Sequence, residues 1–241
     1  MVNLSLPRRR RIGPLDVIEF AAGPEAPTIV CFHGYGANAA DLAPLAGEVP
    51  LERPARWIFP EAPLEMEMLP SGRMWFPLDE ERLERAQVMG KPLDFSGSRP
   101  PGLDEAHETA RGLVDALETP WNRLILGGFS QGSSLALELA LNAPESPLGL
   151  YILSGNIMDE ESLRRLAPAR AGTPFFQSHG TMDPLLGYEG AKRLEEALKE
   201  AGLKGELRSF NDGHTIPMDV LVGLGGFLDE RIAEAGKEAT E

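Results

Sequence analysis

Residues 124–132 read LILGGFSQG and decide the fold of this chain. A short apolar run leads into them, and a stretch that predicts a helix, Ser133 to Ala143, leads out. The glycines on either side of Ser130 let the backbone turn sharply and keep other side chains clear of the serine. The stretch therefore predicts a buried strand, a tight turn that carries Ser130, and a helix packed on a sheet.

A serine at such a turn, in the pattern G-x-S-x-G, is typical of a catalytic nucleophile. The alternative is an ordinary loop in which Ser130 only caps the following helix. A serine hydroxyl is a poor nucleophile until a base takes its proton, and the base is normally a histidine oriented by a carboxylate. A histidine and an acid in suitable places therefore favour the catalytic interpretation.

Both partners follow Ser130 in the order that this fold class uses, serine, acid, histidine. Of the four histidines only His179 and His214 come later in the chain. His214 lies in a loop between a predicted strand and the last helix, so we predict that it is the general base. Asp183 lies just past another predicted strand, and we predict that it is the orienting acid.

Other acids and histidines have less suitable positions. Asp159, after the preceding strand, is the second candidate for the acid. Asp212 is too close in sequence to His214 and favours a turn role. We expect His33 and His179 to hold loops by hydrogen bonds, and His107 to be an ordinary helix residue.

Acyl transfer also needs donors that face the developing oxyanion. The N–H of Gln131 follows the nucleophile at a helix N-terminus and is the first predicted donor. The loop His33-Gly34-Tyr35-Gly36 follows another apolar strand, and the N–H of Tyr35 is the second.

Apolar runs alternate with helical patterns along the chain, which predicts a single-domain α/β-hydrolase. We expect a doubly wound, mostly parallel sheet with helices on both faces, spanning residues 15–236. Residues 1–14 are predicted to be an N-terminal arm with a basic run, and 237–241 a tail. The proline-rich region 61–102 breaks the alternation and predicts a long loop near the acyl pocket.

Composition excludes several classes of function. The net charge of −14 makes nucleic acid an unfavourable partner. The arginines 8–11 are followed by no apolar segment, so they are not a secretory signal; no run is long enough for an integral membrane segment. The single cysteine, Cys31, excludes an internal disulfide and a multi-cysteine metal site, and is read as a core residue. We expect a cytoplasmic protein.

Four blocks together resemble the phospholipase/carboxylesterase family of small α/β-hydrolases, which includes acyl-protein thioesterases. The blocks are residues 33–38 (HGYGAN), 128–132 (GFSQG), 179–184 (HGTMDP) and 213–217 (GHTIP). The resemblance implies ester or thioester hydrolysis through an acyl-enzyme, with no metal and no cofactor. It also implies that Trp75, Leu185 and Leu186 bind substrate. Ser133 stands where the family usually has a third glycine, and residues 78–101 differ from its usual loop.

The leading hypothesis is a serine carboxylesterase that acts on small-molecule esters with small to medium acyl chains. A lysophospholipase or acyl-protein thioesterase is the alternative within the family. A non-catalytic binding module on the same fold is the alternative from a different class. The sequence leaves open whether two copies form a homodimer.

Overall fold

The computed structural model describes residues 4–67, 69–79, 81, 85, 88, 89, 91–97 and 99–238. Within these residues there are ten strands, which we number in chain order: β1 Arg8–Ile12, β2 Leu15–Phe20, β3 Thr28–Phe32, β4 Arg56–Pro60, β5 Leu64–Met66, β6 Leu69–Met74, β7 Leu124–Phe129, β8 Gly149–Leu153, β9 Pro174–Gly180 and β10 Lys204–Phe210. The same residues form seven α-helices: α1 Ala39–Leu42, α2 Leu45–Glu48, α3 Leu103–Leu117, α4 Gln131–Leu141, α5 Glu160–Leu166, α6 Tyr188–Glu200 and α7 Met218–Glu238.

In the described part of the chain, eight strands form one main sheet in the order β1-β2-β4-β3-β7-β8-β9-β10. The strands from β4 to β10 in this order are parallel, while β1 and β2 pair antiparallel at one edge. The chain runs outward in both directions from β3, so loops at the carboxyl ends of β3, β7, β8 and β9 meet at one edge. This edge is where a ligand site is expected in such a sheet.

Helices cover both faces of the sheet, which confirms the predicted fold class. Apolar residues of α3, α4, α5 and α6 pack on one face. Those of α1, α2 and α7 pack on the other. The central strands β3 and β8 are buried along their whole length, as their continuous apolar sequence predicts.

The basic run is not part of an arm outside the domain, and the predicted boundary at residue 14 is wrong. Arg8–Ile12 is edge strand β1, which pairs with β2 through Ile12 opposite Leu15. Arg10 lies 3.1 Å from Glu19 and Arg11 3.5 Å from Asp16. Charged side chains on an edge strand discourage pairing with another chain, which gives the four arginines a structural role.

The C-terminal boundary also differs. Helix α7 continues to Glu238, so residues 237 and 238 belong to it. The rest of the predicted tail, residues 239–241, lies outside the described residues.

Region 61–102 contains more regular structure than a long loop. Its first part is the antiparallel hairpin β5–β6. Its last part, residues 91–97, forms isolated bridges to the loops after β8 and β9, Phe95 with Met158 and Leu93 with Leu186. Between these parts, residues 80, 82–84, 86, 87 and 90 lie outside the described ranges.

Candidate active site

Ser130 occupies the turn between β7 and α4 in a backbone conformation that only a few residues adopt, with φ 54° and ψ −121°. Its N–H donates to the carbonyl of Leu153, which ties the turn to the neighbouring strand at 2.8 Å. A side chain at residue 132 would be impossible, because a Cβ there would lie 2.1 Å from the carbonyl oxygen of Phe32. The sequence thus folds locally into a strained, tightly packed turn.

Ser133, the departure from the family pattern, is accommodated by this turn. It is fully buried, and its hydroxyl donates to the carbonyl of Ser130 at 2.7 Å. The buried hydroxyl of Ser133 therefore has a hydrogen-bond partner, and this bond helps to fix the backbone of Ser130.

Asp183 and His214, 31 residues apart, lie in direct contact. The Nδ1 atom of His214 is 2.6 Å from Oδ2 of Asp183. Because a carboxylate only accepts, Nδ1 carries the proton, which leaves Nε2 as the basic nitrogen. The other carboxylate oxygen, Oδ1, accepts from the N–H groups of Leu185 at 2.8 Å and Leu186 at 2.9 Å.

His179 is a third partner of this carboxylate. It is fully buried, with Nε2 3.2 Å from Oδ2 of Asp183 and 2.7 Å from the carbonyl oxygen of Leu186. Its Nδ1 lies 3.1 Å from the carbonyl oxygen of Gly155. His179 therefore holds together the loops after β8 and β9, which confirms its expected loop-holding role and adds the contact with Asp183.

These contacts keep Asp183 ionised. Burial by itself would raise the pKa of Asp183, but the hydrogen bonds from His179, His214 and the Leu186 N–H outweigh burial and hold the pKa well below its ordinary value. The charged form of the carboxylate is thus favoured by its donors, and it can stabilise an imidazolium at His214.

The loop that carries His214 lies against the turn that carries Ser130. The ring of His214 is 4.8 Å from the ring of Phe129, the residue before the serine. The hydroxyl of Ser154 donates to the carbonyl of Thr215 at 3.1 Å, with Ser154 itself at φ 49°. Ser154 is a functional candidate that sequence reasoning missed, since only the fold brings residue 154 to residue 215.

The loop after β3 lies beside the same turn. A Cβ on Gly34 would be 3.3 Å from Cβ of Ser130, so the backbone approaches the serine closely. His33 fixes this loop, since the Ala62 N–H donates to its Nε2 at 3.1 Å and its Nδ1 donates to the Gly34 carbonyl at 2.8 Å. Burial lowers the pKa of His33, so the ring stays neutral in this role.

The side chain of Gln131 holds the chain just after strand β6 against the turn that carries Ser130. Its Oε1 accepts from the N–H of Trp75 at 3.0 Å, and its Nε2 donates to the carbonyl of Phe76 at 2.8 Å. Trp75 in turn donates from Nε1 to the carbonyl of His33 at 2.9 Å. Gln131 was predicted only as a backbone donor, and its amide adds a bracing role.

Trp75 differs from the substrate contact that the resemblance implies. Its side chain is 1% exposed and packs edge-on against Phe32 in the core, beneath the loop of His33. The neighbouring residue Phe76 reaches the cavity instead. The indole therefore supports the site from below.

A small apolar cavity of about 40 Å³ opens beside Ser130 and Gln131. Its apolar lining consists of Tyr35, Phe76, Leu78, Phe95, Met158 and Leu186. Leu186, which the resemblance implies at the substrate, lies in this lining. Leu185 is not among the described residues that line the cavity, and it contributes its backbone N–H to Asp183 instead.

The alternative candidates have other roles. Asp159 accepts from the Ser162 N–H at 3.3 Å as the N-cap of α5. Asp212 accepts from the N–H of Gly213 at 2.7 Å, the turn role expected for it. His107 is half-buried on α3, and burial lowers its pKa.

A strained serine at a strand-to-helix turn, over a doubly wound sheet, defines a serine hydrolase of the α/β-hydrolase class. The model of the Phospholipase/Carboxylesterase family matches residues 14–232, and the chain belongs to that family.

Three relatives illustrate the similarity. Acyl-protein thioesterase 1 of Eremothecium gossypii is 27% identical over 212 residues, 83% of this chain and 86% of that protein. Carboxylesterase SOBER1 of Arabidopsis thaliana is 28% identical over 214 residues, 85% and 90% of the two chains. The crystal structure of esterase PE8 superposes with a TM-score of 0.74 at 28% identity, covering 95% of this chain and 99% of the other.

Among the described residues, no helix combines the length and the apolar character that crossing a bilayer requires. Cys31 is buried in β3, as predicted for a core residue, and burial raises the pKa of its thiol to about 12.

Proposed function

We propose that the protein is a serine carboxylesterase that hydrolyses esters of small to medium acyl chains through an acyl-enzyme. Ser130 is the nucleophile, His214 the general base and Asp183 the acid that orients it. The observation that carries this proposal is the 2.6 Å contact between Asp183 Oδ2 and His214 Nδ1, beside the strained turn at Ser130.

In the first half of the reaction, Nε2 of His214 takes the proton of the Ser130 hydroxyl as Oγ attacks the ester carbonyl carbon. The carbonyl π electrons move to oxygen, and the N–H groups of Gln131 and Tyr35 stabilise this oxyanion. Gln131 is the first residue of α4, where helix N–H groups have no partner within the helix. Collapse of the intermediate breaks the bond to the alcohol, which leaves with the proton from His214.

In the second half, His214 takes a proton from water while the water oxygen attacks the acyl carbon. The second oxyanion forms in the same place. Its collapse breaks the bond to Ser130 Oγ, which recovers a proton from His214, and the carboxylic acid leaves. The proposed route uses only groups of this chain.

The Ser130→Ala variant tests the assignment. We expect it to lose esterase activity by at least about 10⁴-fold, because no other group supplies the nucleophile. It should also lose labelling by a fluorophosphonate probe while its circular dichroism spectrum stays that of the wild type. Esterase turnover close to wild type in this variant would contradict the proposal, and a wild-type protein that the probe does not label would favour a binding module.

Thioester hydrolysis is the second candidate, favoured by the similarity to acyl-protein thioesterases over more than four-fifths of this chain. The same nucleophile and oxyanion donors would serve, since only the leaving group changes from alcohol to thiol. Pairs of esters and thioesters with the same acyl group distinguish the two. Release of fatty acid from lysophospholipid is measured in parallel.

We further propose that the partners are small-molecule esters, that nucleic acid does not bind, and that the protein acts in the cytoplasm. The net charge of −14 and the single buried cysteine support these assignments. Sedimentation analysis tests whether two copies associate as a homodimer.

A further inference from the structure

The cavity beside Ser130 is closed at one side by residues 91–97, part of the stretch that departs from the usual family loop. Phe95 reaches the cavity from this segment. Opposite it, Phe76 and Leu78 reach the cavity from the chain that follows β6. The wall of the cavity is thus built by two segments that follow β6 and precede α3, apart from the turn that carries Ser130.

The segment is held on both sides by backbone hydrogen bonds. The N–H of Leu93 donates to the carbonyl of Leu185 at 2.8 Å, in the loop after β9. The N–H of Asp159 donates to the carbonyl of Phe95 at 3.2 Å, in the loop after β8. Residues 93–95 therefore bridge the two loops that supply Leu186 and Met158 to the cavity.

An ion pair and a further backbone bond strengthen this attachment. Arg193 on α6 donates to Asp94 Oδ2 at 3.0 Å, and the backbone N–H of Glu160 donates to the carbonyl of Ser96 at 2.9 Å. Further along, Arg99 lies 2.8 Å from Glu138 on α4 and 3.6 Å from Asp159. A segment tied to two helices and two loops, with Arg99 bound to a third helix just after it, behaves as a wall rather than as a lid that opens in each turnover.

The cavity is small, about 40 Å³, and one side of it is open. A water-sized group needs about 10–15 Å³ of such free volume. The 40 Å³ cavity therefore holds roughly three groups of that size beyond the carbonyl carbon. An acetyl to butyryl chain matches this volume, whereas an octanoyl chain needs more space than the cavity beside Phe95, Met158 and Leu186 provides.

We propose that the segment 91–97, through Phe95, restricts this enzyme to short acyl groups, from acetyl to butyryl. The inference rests on the proposed esterase function and adds the residue that sets acyl length. Phe95 is a specificity-determining residue, since it contacts the acyl chain and takes no part in bond making.

The test is a series of p-nitrophenyl esters, acetate, butyrate, octanoate and laurate, with kcat/KM measured for wild type and Phe95→Ala. Wild type is expected to favour acetate and butyrate over octanoate by about tenfold or more. In Phe95→Ala the ratio of octanoate to butyrate should rise by about tenfold. The Phe95→Leu variant, which keeps the wall apolar and removes less volume, should give an intermediate ratio and covers the case in which the alanine variant does not fold.

The matched control is Met89→Ala, in the same region of the chain but 63% exposed and outside the cavity lining. The ratio of kcat/KM for octanoate to kcat/KM for butyrate should be the same in Met89→Ala as in wild type. A wild-type preference for octanoate or laurate, or an unchanged ratio in both Phe95 variants, overturns the inference while leaving the esterase assignment standing. A wild type that hydrolyses none of the esters overturns the proposed function itself.

Discussion

At the scale of single residues, Asp183 combines burial with four hydrogen-bond contacts to its two oxygens. Its pKa is held below the ordinary value of about 3.9 that an unfolded aspartate has. When the pKa of a carboxyl group is lower in the folded than in the unfolded state, its ionised form stabilises the fold at every pH above the unfolded pKa. This contribution is lost as the pH falls from the unfolded pKa through the folded pKa.

We therefore expect the difference in unfolding free energy between wild type and Asp183→Asn to be constant from about pH 5 to pH 8. Below about pH 4 it should shrink by up to about 1.4 kcal/mol per pH unit. Urea denaturation at a series of pH values measures it. If the difference in unfolding free energy changed most between pH 6 and pH 8, a group other than Asp183 would control its pH dependence.

The same variant should lose about 10⁴ in kcat at neutral pH, because an amide no longer fixes the tautomer of His214. Asp159→Asn is its control, since that side chain caps α5. A larger loss of kcat in the control than in Asp183→Asn would reassign the acid.

His179 is a positioning residue, because it reaches the reaction only through Asp183. We expect His179→Leu to lower kcat by about 10- to 100-fold, since the carboxylate loses one donor. KM should change less than kcat, because His179 contacts the cavity lining only through the backbone carbonyl of Leu186. His179→Gln keeps an N–H donor, so kcat should recover in part. Equal losses in both variants would mean that His179 serves only to pack the loops.

At the scale of elements, Glu19 joins the three strands at the antiparallel edge. It is nearly buried on β2, with Arg56 of β4 at 2.7 Å and Arg10 of β1 at 3.1 Å. Removing the charge leaves the partly buried guanidinium of Arg56 without its acid, and we expect Glu19→Gln to cost about 1–3 kcal/mol of unfolding free energy. Asp16→Asn breaks an exposed pair of the same edge and should cost less than about 1 kcal/mol. Urea denaturation compares the two, and equal costs would contradict the role given to burial.

The sequence predicts the central strands well because burial on both faces leaves a direct signature. The buried strand expected before the turn at Ser130 is present as β7, and the apolar strand expected before His33 is present as β3. Strand β1 was missed because four arginines read as a solvated terminus, although they occupy an edge with one neighbour. The hairpin β5–β6 was missed because its two short, largely exposed strands, one of which contains Pro70, show no apolar run.

The residues expected to do chemistry could be predicted from motif and chain order. Their supports could not, because the bonds join residues far apart in sequence. The hydroxyl of Ser154 donates a hydrogen bond to the carbonyl of residue 215. The side-chain amide of Gln131 forms hydrogen bonds with the backbone of residues 75 and 76. Backbone acceptors carry no residue-type signal, so only the fold reveals these contacts.

At the scale of the whole molecule, the chain has one thiol, and it lies in the middle of the sheet. Cys31 is 1% exposed in β3, between β4 and β7, and burial raises its pKa to about 12. A thiol reagent reacts with thiolate and needs access, so the native protein should be inert to it.

We expect Cys31 to react with Ellman's reagent only when the sheet opens, at a rate that follows the free energy of global unfolding. Reaction should become rapid in urea, and Cys31→Ala should show none. Rapid labelling of the native state without denaturant would contradict this.

Because that sulfur is buried, its rate of reaction can serve as an internal measure of stability. A maleimide dye on a cysteine introduced at the surface would label only that site in the native state, since Cys31 does not react until the protein unfolds. In one sample, the dye could then report the binding of a substrate analogue near the labelled site, and the reaction of Cys31 could report how much the bound analogue raises the free energy of unfolding.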